Sequence, residues 1–261
     1  MTETETENSS RSIAAVERAM DVLLLFGRSG RADLGVTEIA NELAITKAAV
    51  HRILTALRNR DLIAFEPTTR RYTLGHAAIA LGRAYLARTD LRIMAAPELR
   101  RLAALTGETA TLSIRRGDTR MYVDQVVPSH ELRVEVALGV PYPLYAGSSS
   151  KVILAYLAKQ EIDDYLRRQE LTAFTEDTIT NRTALRRELT AIRKRGYAIS
   201  LGERQIGAAS IAAPILDHDG GVVAALSVCA PLSRFEPRVE EFVPVLLKSG
   251  QAISAQLGHQ G

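Results

Sequence analysis

The sequence predicts an α+β protein in two parts, a small helical module followed by a larger antiparallel sheet with helices on its faces. Three observations support this prediction. Apolar residues recur at helical intervals over much of residues 11–75. From residue 91 onwards, short β-prone runs bounded by turn residues alternate with helical segments. The chain has 261 residues, 46% of them apolar, which is enough for two domains that each bury a core.

The composition narrows the classes of protein to consider. A single cysteine excludes an intramolecular disulfide framework and a Cys-rich zinc module, and the five histidines show no zinc-ligand spacing. We therefore expect no metal and no cofactor. The longest uncharged apolar stretch, Val222–Leu232, is about half the length of a membrane span. Because the polar start of the chain lacks the basic and apolar regions of a secretory signal, we expect a cytoplasmic protein with no membrane partner.

Three helices are expected at the start of the chain. Residues Ile13–Phe26 carry apolar side chains at helical intervals. Thr37 is expected to cap a second, shorter helix and Thr46 a third, because a threonine hydroxyl accepts a hydrogen bond from a free backbone N–H. Two short helices joined by a tight turn, the second polar on its outer face, predict a helix-turn-helix motif. The third helix has an apolar stripe at i, i+3, i+4 and i+7, formed by Val50, Ile53, Leu54 and Leu57.

The outer face of the third helix carries side chains suited to duplex DNA. Such a helix enters the major groove with its N-terminus first, where basic side chains reach base edges or phosphates. A small residue such as Ala48 allows close approach and can contact a thymine methyl group. The candidate DNA contacts of this helix are Thr46, Lys47, Ala48, His51 and Arg52.

A short hairpin after this helix predicts a wing. Leu62–Phe65 and Tyr72–Leu74 have the composition of strands and are joined by a turn. Arg70 and Arg71 are expected at its tip, where they can contact backbone phosphates or a narrow minor groove. Six basic and two acidic residues lie within 45–71, a charge distribution suited to phosphates. On charge alone, a solvated helix face remains the alternative.

The remaining two-thirds of the chain predict one antiparallel sheet flanked by helices, an arrangement typical of the α+β class. Turn residues at 117–118 and 217–221 support hairpins. The expected strands are Ala110–Arg116, Met121–Val127, Leu132–Val136, Ala198–Leu201, Ser210–Leu216 and Val222–Cys229. The expected helices are Leu91–Thr106, Ser149–Ala158, Glu161–Arg168, Thr183–Arg195 and Pro237–Leu257.

Two groups of small polar residues indicate a candidate pocket in this domain. Ser148 and Ser149 stand at the start of a helix, where small residues let the backbone approach a ligand and free N–H groups bind anions. A serine N-cap without a ligand is the alternative. Ser227 and Cys229 are two residues apart in a strand and therefore share a face. In an otherwise apolar strand they need polar partners, which a bound carboxylate, ordered water or the backbone can supply.

A family resemblance connects these features. The first third contains the runs SIAAVERAMDVLLLF and VTEIANELAITKAAVHRILTAL and a wing ending in RRYTLG. The remainder contains GVPYPLYAGSSSKVILAYL, RKRGYAISLGERQIGAASIAAPI and VVAALSVCAP. Over residues 11–257 the chain resembles the IclR family of bacterial transcriptional regulators. Where that family usually has a Ser-Thr pair after the lysine of its recognition helix, this chain has Ala48 and Ala49, so the family's hydroxyl contacts to phosphate do not transfer.

The resemblance implies a domain organisation and an assembly. It implies a winged helix-turn-helix over 11–75, a linker helix over 76–90 and a GAF-like effector and oligomerisation domain over 91–258. It also implies a homodimer or a dimer of dimers, packed through the N-terminal helices and bound to a palindromic operator in double-stranded DNA.

The resemblance further implies an effector. Family members that bind small carboxylic acids hold them at positions that match Ser148, Ser149, Ser200, Ser210, Ser227 and Cys229. Position 200 often bears an acid in the family and is serine here, so the identity of the effector does not transfer. We therefore expect a DNA-binding transcriptional regulator whose operator binding is modulated by a small effector, a carboxylic or aromatic acid. Whether the outcome is repression or activation stays open.

Two other classes of function are alternatives. Ser148 and Lys151 form the S-x-x-K motif of serine hydrolases, and Lys248, Ser249 and Gly250 form a K-S-G motif. The second motif falls within an apolar-periodic helix instead of on a strand edge, and the sequence has no third signature of such enzymes between the two. We therefore expect no enzyme. A sensor module without DNA binding is the other alternative, against which the basic helix and wing argue.

Overall fold

A computed structural model gives the structure of the protein. It describes residues 3–87 and 90–260, with side chains over 13–82 and 91–260. The chain divides into two compact units between residues 89 and 90, and each unit is described separately below.

Helices and one hairpin form the first unit. In chain order its elements are α1 (Glu3–Arg28), α2 (Val36–Glu42), α3 (Lys47–Arg58), β1 (Ile63–Glu66), β2 (Arg71–Leu74) and α4 (His76–Ala87). This is the predicted winged helix-turn-helix, with β1 and β2 as the wing. The linker helix predicted over 76–90 overlaps α4, and residues 88 and 89 lie outside the described part of the chain.

The apolar stripe of α3 lies at the centre of this unit. Three of its four residues are buried and Ile53 packs against them, as the periodicity predicts. Val22 and Phe26 of α1 join the same core. The opposite face of α1 is apolar but exposed, and consists of Ile13, Val16, Met20 and Leu24.

The two predicted helix caps have different outcomes. Thr46 caps α3 as predicted, because its hydroxyl accepts a hydrogen bond of 3.2 Å from the N–H of Ala49. The prediction for Thr37 is wrong, because α2 begins at Val36 and Thr37 lies inside it. The carboxylate of Glu38 closes this end of the helix instead, by accepting a hydrogen bond of 2.8 Å from the N–H of Gly35.

A six-stranded sheet with helices on both faces forms the second unit, which confirms the predicted α+β class. Its strands are β3 (Thr109–Arg116), β4 (Thr119–Val126), β5 (Pro141–Pro143), β6 (Ala198–Leu201), β7 (Ala208–Leu216) and β8 (Val222–Pro231). Its helices are α5 (Asp90–Thr106), α6 (Ser148–Ala155), α7 (Lys159–Arg168), α8 (Arg182–Arg195), α9 (Leu232–Phe235) and α10 (Val239–Gln256), with a 3-10 turn at Glu236–Arg238. None of the helices in the described residues is both long and apolar enough to cross a lipid bilayer.

The sheet places α5 and α10 against one face and α6 and α8 against the other. The strand order is β5-β4-β3-β8-β7-β6, and all neighbours are antiparallel. On the central strand β8, Leu226 and Val228 join the core under α5 and α10, whereas Ala225 joins the core under α6 and α8. Because side chains alternate along a strand, Ser227 and Cys229 share the face of Ala225 and point towards α6.

One predicted strand is wrong. Leu132–Val136 is an irregular segment between β4 and β5. Its backbone forms hydrogen bonds with side chains instead of with a neighbouring strand. The side-chain amide of Gln125 donates to the carbonyl of Val136 and accepts from its N–H, both at 3.0 Å. The hydroxyl of Thr109 donates to the carbonyl of Val134. These side chains attach the segment to β3 and β4 without making it part of the sheet.

Helix α6 begins at Ser148, one residue earlier than predicted, and ends at Ala155. The chain enters it through Gly147, whose φ of +90° favours glycine. A Cβ at this position would also lie 3.0 Å from Cδ of Arg204. Glycine therefore lets the chain turn into the helix directly beneath an arginine side chain.

Candidate functional site

The outer face of α3 is open to solvent in the first unit. Lys47, Ala48, His51 and Arg52 are all exposed, whereas Thr46 is exposed but uses its hydroxyl to cap the helix. A positively charged helix face of this kind fits a DNA groove. The helix-turn-helix therefore presents all five predicted contact residues on one side, and its hydrophobic stripe holds the other side in the core.

The two wing arginines have different environments. Arg70 is exposed in the turn and has a φ of +53°. Arg71 is not at the tip as predicted, because it is the first residue of β2. Its guanidinium donates to Asp33 at 2.6 Å and to Glu38 at 2.7 Å. Arg71 is thus held in an ion-pair network, whereas Arg70 remains directed at solvent.

An open groove of about 460 Å³ separates α3 from the wing. His51 borders it from α3, and Thr69 and Arg70 border it from the wing. The groove therefore brings predicted contacts of the helix and of the wing together. Arg71 also borders the groove, but with its guanidinium paired as above.

The second unit contains a cavity of about 120 Å³ at the N-terminus of α6. Four of the six predicted effector residues line it: Ser148, Ser200, Ser210 and Cys229. The hydroxyls of Ser148 and Ser210 are hydrogen bonded at 2.7 Å. The cavity is small compared with the roughly 300–1,000 Å³ of pockets for drug-sized ligands, so it fits a small molecule.

Ser149 and Ser227 are not among the residues that line the cavity, and their contact with an effector stays a prediction. The hydroxyl of Ser149 donates to that of Ser227 at 3.0 Å, and Ser227 is also hydrogen bonded to Thr111 of β3. All three residues are buried. The polar groups on the α6 side of β8 therefore find partners within the protein, and Ser227 connects α6 to the sheet.

The sequence prediction omits two arginines and Tyr122 of the cavity wall, which Tyr142 also lines. Arg120 and Tyr122 come from β4, Tyr142 from β5, and Arg204 from the loop between β6 and β7. Arg120 lies one residue before the predicted start of its strand, and its two-residue spacing from Tyr122 places both on one face of the sheet. This alternation along the strand is the sequence signal that could have identified Arg120 as a residue of the cavity wall.

Arg120 is buried, with only 1% of its surface exposed. Its Nε donates to the hydroxyl of Ser150 at 2.9 Å, and its guanidinium carbon lies 4.0 Å from the ring centre of Tyr122 and 4.9 Å from that of Tyr142. The guanidinium of Arg204 also lies over Tyr142, 3.8 Å from the centre of its ring. Burial is the main cause that lowers the pKa of Arg120, and the nearby charge of Arg204 acts in the same direction.

The residues of the hydrolase motifs are engaged in other contacts. The ammonium of Lys151 is buried, donates to the carbonyl of Ile199 at 2.9 Å and forms an ion pair with Glu203. Ser249 lies within α10 and accepts a hydrogen bond of 3.1 Å from Arg101.

The single thiol of the chain, that of Cys229, is buried. Burial raises the pKa of the Cys229 thiol, which keeps it protonated at neutral pH. Over the residues that the structure describes, no group of three or more His, Cys, Asp or Glu side chains is placed to hold a metal ion.

Comparison with known proteins identifies the same family for both units. The model of the IclR helix-turn-helix domain matches residues 15–67, and that of the C-terminal domain of IclR bacterial transcriptional regulators matches residues 83–255. The HTH-type transcriptional regulator BhcR of Paracoccus denitrificans is 34% identical over 246 residues, which cover 94% of this chain and 88% of that protein.

Two further relatives match over nearly their whole length. The HTH-type transcriptional regulator KdgR of Escherichia coli is 30% identical over 260 residues, 99% of this chain and 98% of that protein. The crystal structure of an IclR transcriptional regulator from Alicyclobacillus acidocaldarius has a TM-score of 0.82 at 32% identity, and covers 94% of this chain and 99% of that one. With a basic helix-turn-helix in its first unit and family matches to both units, the chain belongs to the IclR family of bacterial transcriptional regulators.

Proposed function

We propose that operator binding by this regulator is modulated by a small acid that occupies the cavity of the second unit. One observation carries the proposal: Arg120 and Arg204 line that cavity, and neither has a carboxylate partner among the described residues. An anionic effector supplies the missing charge. Four predicted effector residues, Ser148, Ser200, Ser210 and Cys229, add polar groups around it.

The exposed face of α3 is proposed to read the operator. Lys47, His51 and Arg52 supply the donors for base edges and phosphates, and Ala48 packs against the groove. Thr46 holds the N-terminus of the helix by its cap. In the wing, Arg70 contacts the backbone.

Arg71, the second predicted contact of the wing, is also proposed to position the wing. Its ion pairs with Asp33 and Glu38 hold the wing against α2.

The assembly is proposed to be a homodimer or a dimer of dimers on a palindromic operator. The exposed apolar face of α1, from Ile13 to Leu24, supports a homodimer because a second copy can cover it. The proposed domain boundaries are 11–75 for DNA binding, 76–90 for the linker and 91–258 for the effector domain. The proposed location is the cytoplasm, with no membrane partner.

No catalysis and no cofactor are proposed for the chain. The lysine of the S-x-x-K motif is paired with Glu203, which leaves it unsuited to activate Ser148. The raised pKa of Cys229 makes this thiol a poor nucleophile.

Selection of duplexes from a random pool by the full-length protein tests DNA binding. We expect enrichment of a palindromic site, and a binding constant whose logarithm falls linearly with the logarithm of the salt concentration. Binding to the selected site is then titrated with a panel of small carboxylic and aromatic acids. Absence of enrichment at every salt concentration contradicts DNA recognition by α3, and absence of any response to the acids contradicts the effector site.

A further inference from the structure

Two guanidinium groups meet at one end of the effector cavity. Arg120 and Arg204 both lie over the ring of Tyr142, at 4.9 and 3.8 Å. A Cβ placed on Gly147 would lie 3.0 Å from Cδ of Arg204 and 4.0 Å from Nη2 of Arg120. Both arginines therefore border the first turn of α6, whose N-terminus is itself electropositive.

The carboxylates near this cluster have other cationic partners. Glu203 is paired with Lys151 and accepts a hydrogen bond of 3.1 Å from the N–H of Gly147. Glu135 borders the cavity but is exposed, and its ion-pair partner is Arg133 at 3.9 Å. Among the described residues, neither arginine of the cluster lies within 4.0 Å of a carboxylate. The cavity wall thus has two positive charges without a protein counter-ion.

A buried cation without a counter-ion is unfavourable for folding. Removing a charge from water is costly, and stacking on tyrosine rings returns only part of that cost. The lowered pKa of Arg120 reflects this cost. The hydroxyls of Ser150 and Ser113 accept from its guanidinium at 2.9 and 3.4 Å, but they bring no charge.

We propose that the cavity selects an acid with two anionic groups, a small dicarboxylate. This rests on the proposed effector function and names the class of effector. One carboxylate pairs with Arg204 beside Tyr142, and the other pairs with Arg120 at the first turn of α6, near the hydroxyl of Ser148. A dianion neutralises both arginines, whereas a monocarboxylate leaves one positive charge of the cavity wall unpaired.

Pairs of ligands that differ by one charge test the proposal. Succinate, glutarate and phthalate are compared with their half-amides succinamate, glutaramate and phthalamate, which have nearly the same size. Binding to the full-length protein is measured by calorimetry and by thermal shift at pH 7.5 and constant ionic strength. We expect at least one dicarboxylate to bind tenfold or more tightly than its half-amide.

The variant Arg204→Gln tests the role of charge, because glutamine removes the positive charge of Arg204 but keeps a polar side chain at this position. Arg204 is half-buried in a loop, so its replacement is compatible with folding, which circular dichroism checks. We expect this variant to lose most of the preference for the dicarboxylate, because its cavity wall has one positive charge fewer and a single carboxylate then neutralises it. Arg193→Gln is the matched control, because Arg193 also lies over a tyrosine ring, that of Tyr156 at 5.8 Å, away from the cavity. The control should keep the full preference.

Several results would overturn the dicarboxylate assignment. Equal affinity for each acid and its half-amide would do so, as would an undiminished preference in Arg204→Gln. If singly charged acids bind and Ser148→Leu abolishes their binding, the proposed effector site stands while the dicarboxylate assignment fails. If no acid of either kind binds, the assignment fails together with the effector half of the proposed function, and operator binding is unaffected.

Discussion

The guanidinium of Arg71 donates a hydrogen bond of 2.7 Å to the carboxylate of Glu38, and so connects strand β2 of the wing to helix α2. The same guanidinium donates to Asp33 at 2.6 Å, and the N–H of Gly35 donates to the Glu38 carboxylate at 2.8 Å. One carboxylate therefore closes the start of α2 and holds the wing at once. We infer that this network sets the position from which Arg70 contacts a duplex.

Replacing Glu38 with glutamine should loosen the wing at neutral pH. The hydrogen bond from Gly35 is the main cause that lowers the pKa of Glu38, and Arg71 lowers it further. A carboxylate whose pKa is lowered by folding stabilises the folded state above its unfolded pKa, and this contribution is lost as the pH falls through the lowered pKa. Amide exchange of the wing should thus be faster in Glu38→Gln at pH 7, and the difference should disappear only at acidic pH below the lowered pKa of Glu38, where the carboxylate of the unchanged protein is protonated.

Glu42→Gln is the control for this measurement. Glu42 is the last residue of the same helix, is exposed and takes no part in the network with Arg71. Its replacement should leave exchange of the wing unchanged at both pH values. A Glu38→Gln protein with unchanged exchange at pH 7 would show that the network does not hold the wing.

Arg52 and Arg70 should contribute differently to DNA binding. Arg70→Ala removes a proposed phosphate contact, so it should weaken binding to all duplexes and reduce the salt slope by about one. Arg52→Ala should cost about 1–3 kcal/mol on the selected operator and much less on a scrambled duplex, because Arg52 is proposed to read a base. Fluorescence anisotropy at several salt concentrations measures both quantities.

Arg187→Ala controls for the loss of one positive charge, since Arg187 is exposed on α8 in the other unit. It should leave both affinities and the salt slope unchanged. If Arg52→Ala lowers the affinity equally for the selected operator and for the scrambled duplex, Arg52 contacts phosphates and does not read a base. An unchanged affinity in both Arg52→Ala and Arg70→Ala would contradict the proposed contact surface.

Ser227→Ala should destabilise the second unit without closing the effector cavity. The hydroxyl of Ser227 is hydrogen bonded to those of Thr111 and Ser149, and all three residues are buried. Its removal leaves two buried hydroxyls short of a partner, at a cost of about 1–3 kcal/mol in unfolding free energy. Urea denaturation measures this cost, and Ser233→Ala, at an exposed serine of α9, should stay within about 0.5 kcal/mol of the unchanged protein. If Ser227→Ala keeps its full stability but loses effector binding, Ser227 contacts the effector and has no structural role of this size.

Periodicity is sufficient to predict most of the fold. Four apolar residues at i, i+3, i+4 and i+7 are buried together only in a helix, and α3 has this stripe in its core. Strand β8 reads as a nearly continuous apolar run because helices cover both faces of the sheet at its centre. The position of the cavity at the start of α6 follows from the small residues that precede the helix.

Pairings between distant parts of the chain explain why Arg71 and Ser227 have partners that the sequence does not indicate. Arg70 and Arg71 are neighbours with the same charge, and only the fold brings Asp33, 38 residues earlier in the chain, against the second of them. Ser227 looks unsatisfied in its strand, but Thr111 lies 116 residues away and satisfies it. Neither partner can be identified from local spacing, because the pairing depends on which strands and loops become neighbours in space.

The side chain of Gln125 should hold in place the segment between β4 and β5 that borders the effector cavity. Its side-chain amide makes two hydrogen bonds of 3.0 Å with the backbone of Val136, and thereby replaces the strand partner that this segment lacks. Gln125→Ala removes both bonds, each worth about 0.5–1.5 kcal/mol, so the N–H of Val136 should exchange faster with solvent. Because Val134 and Val136 line the cavity, affinity for the effector should fall several-fold. Hydrogen exchange and calorimetry check these results, and Gln256→Ala at the exposed end of α10 should change neither. Unchanged exchange at Val136 in Gln125→Ala would mean that the bond to Thr109 and the β5 strand are sufficient to hold the loop.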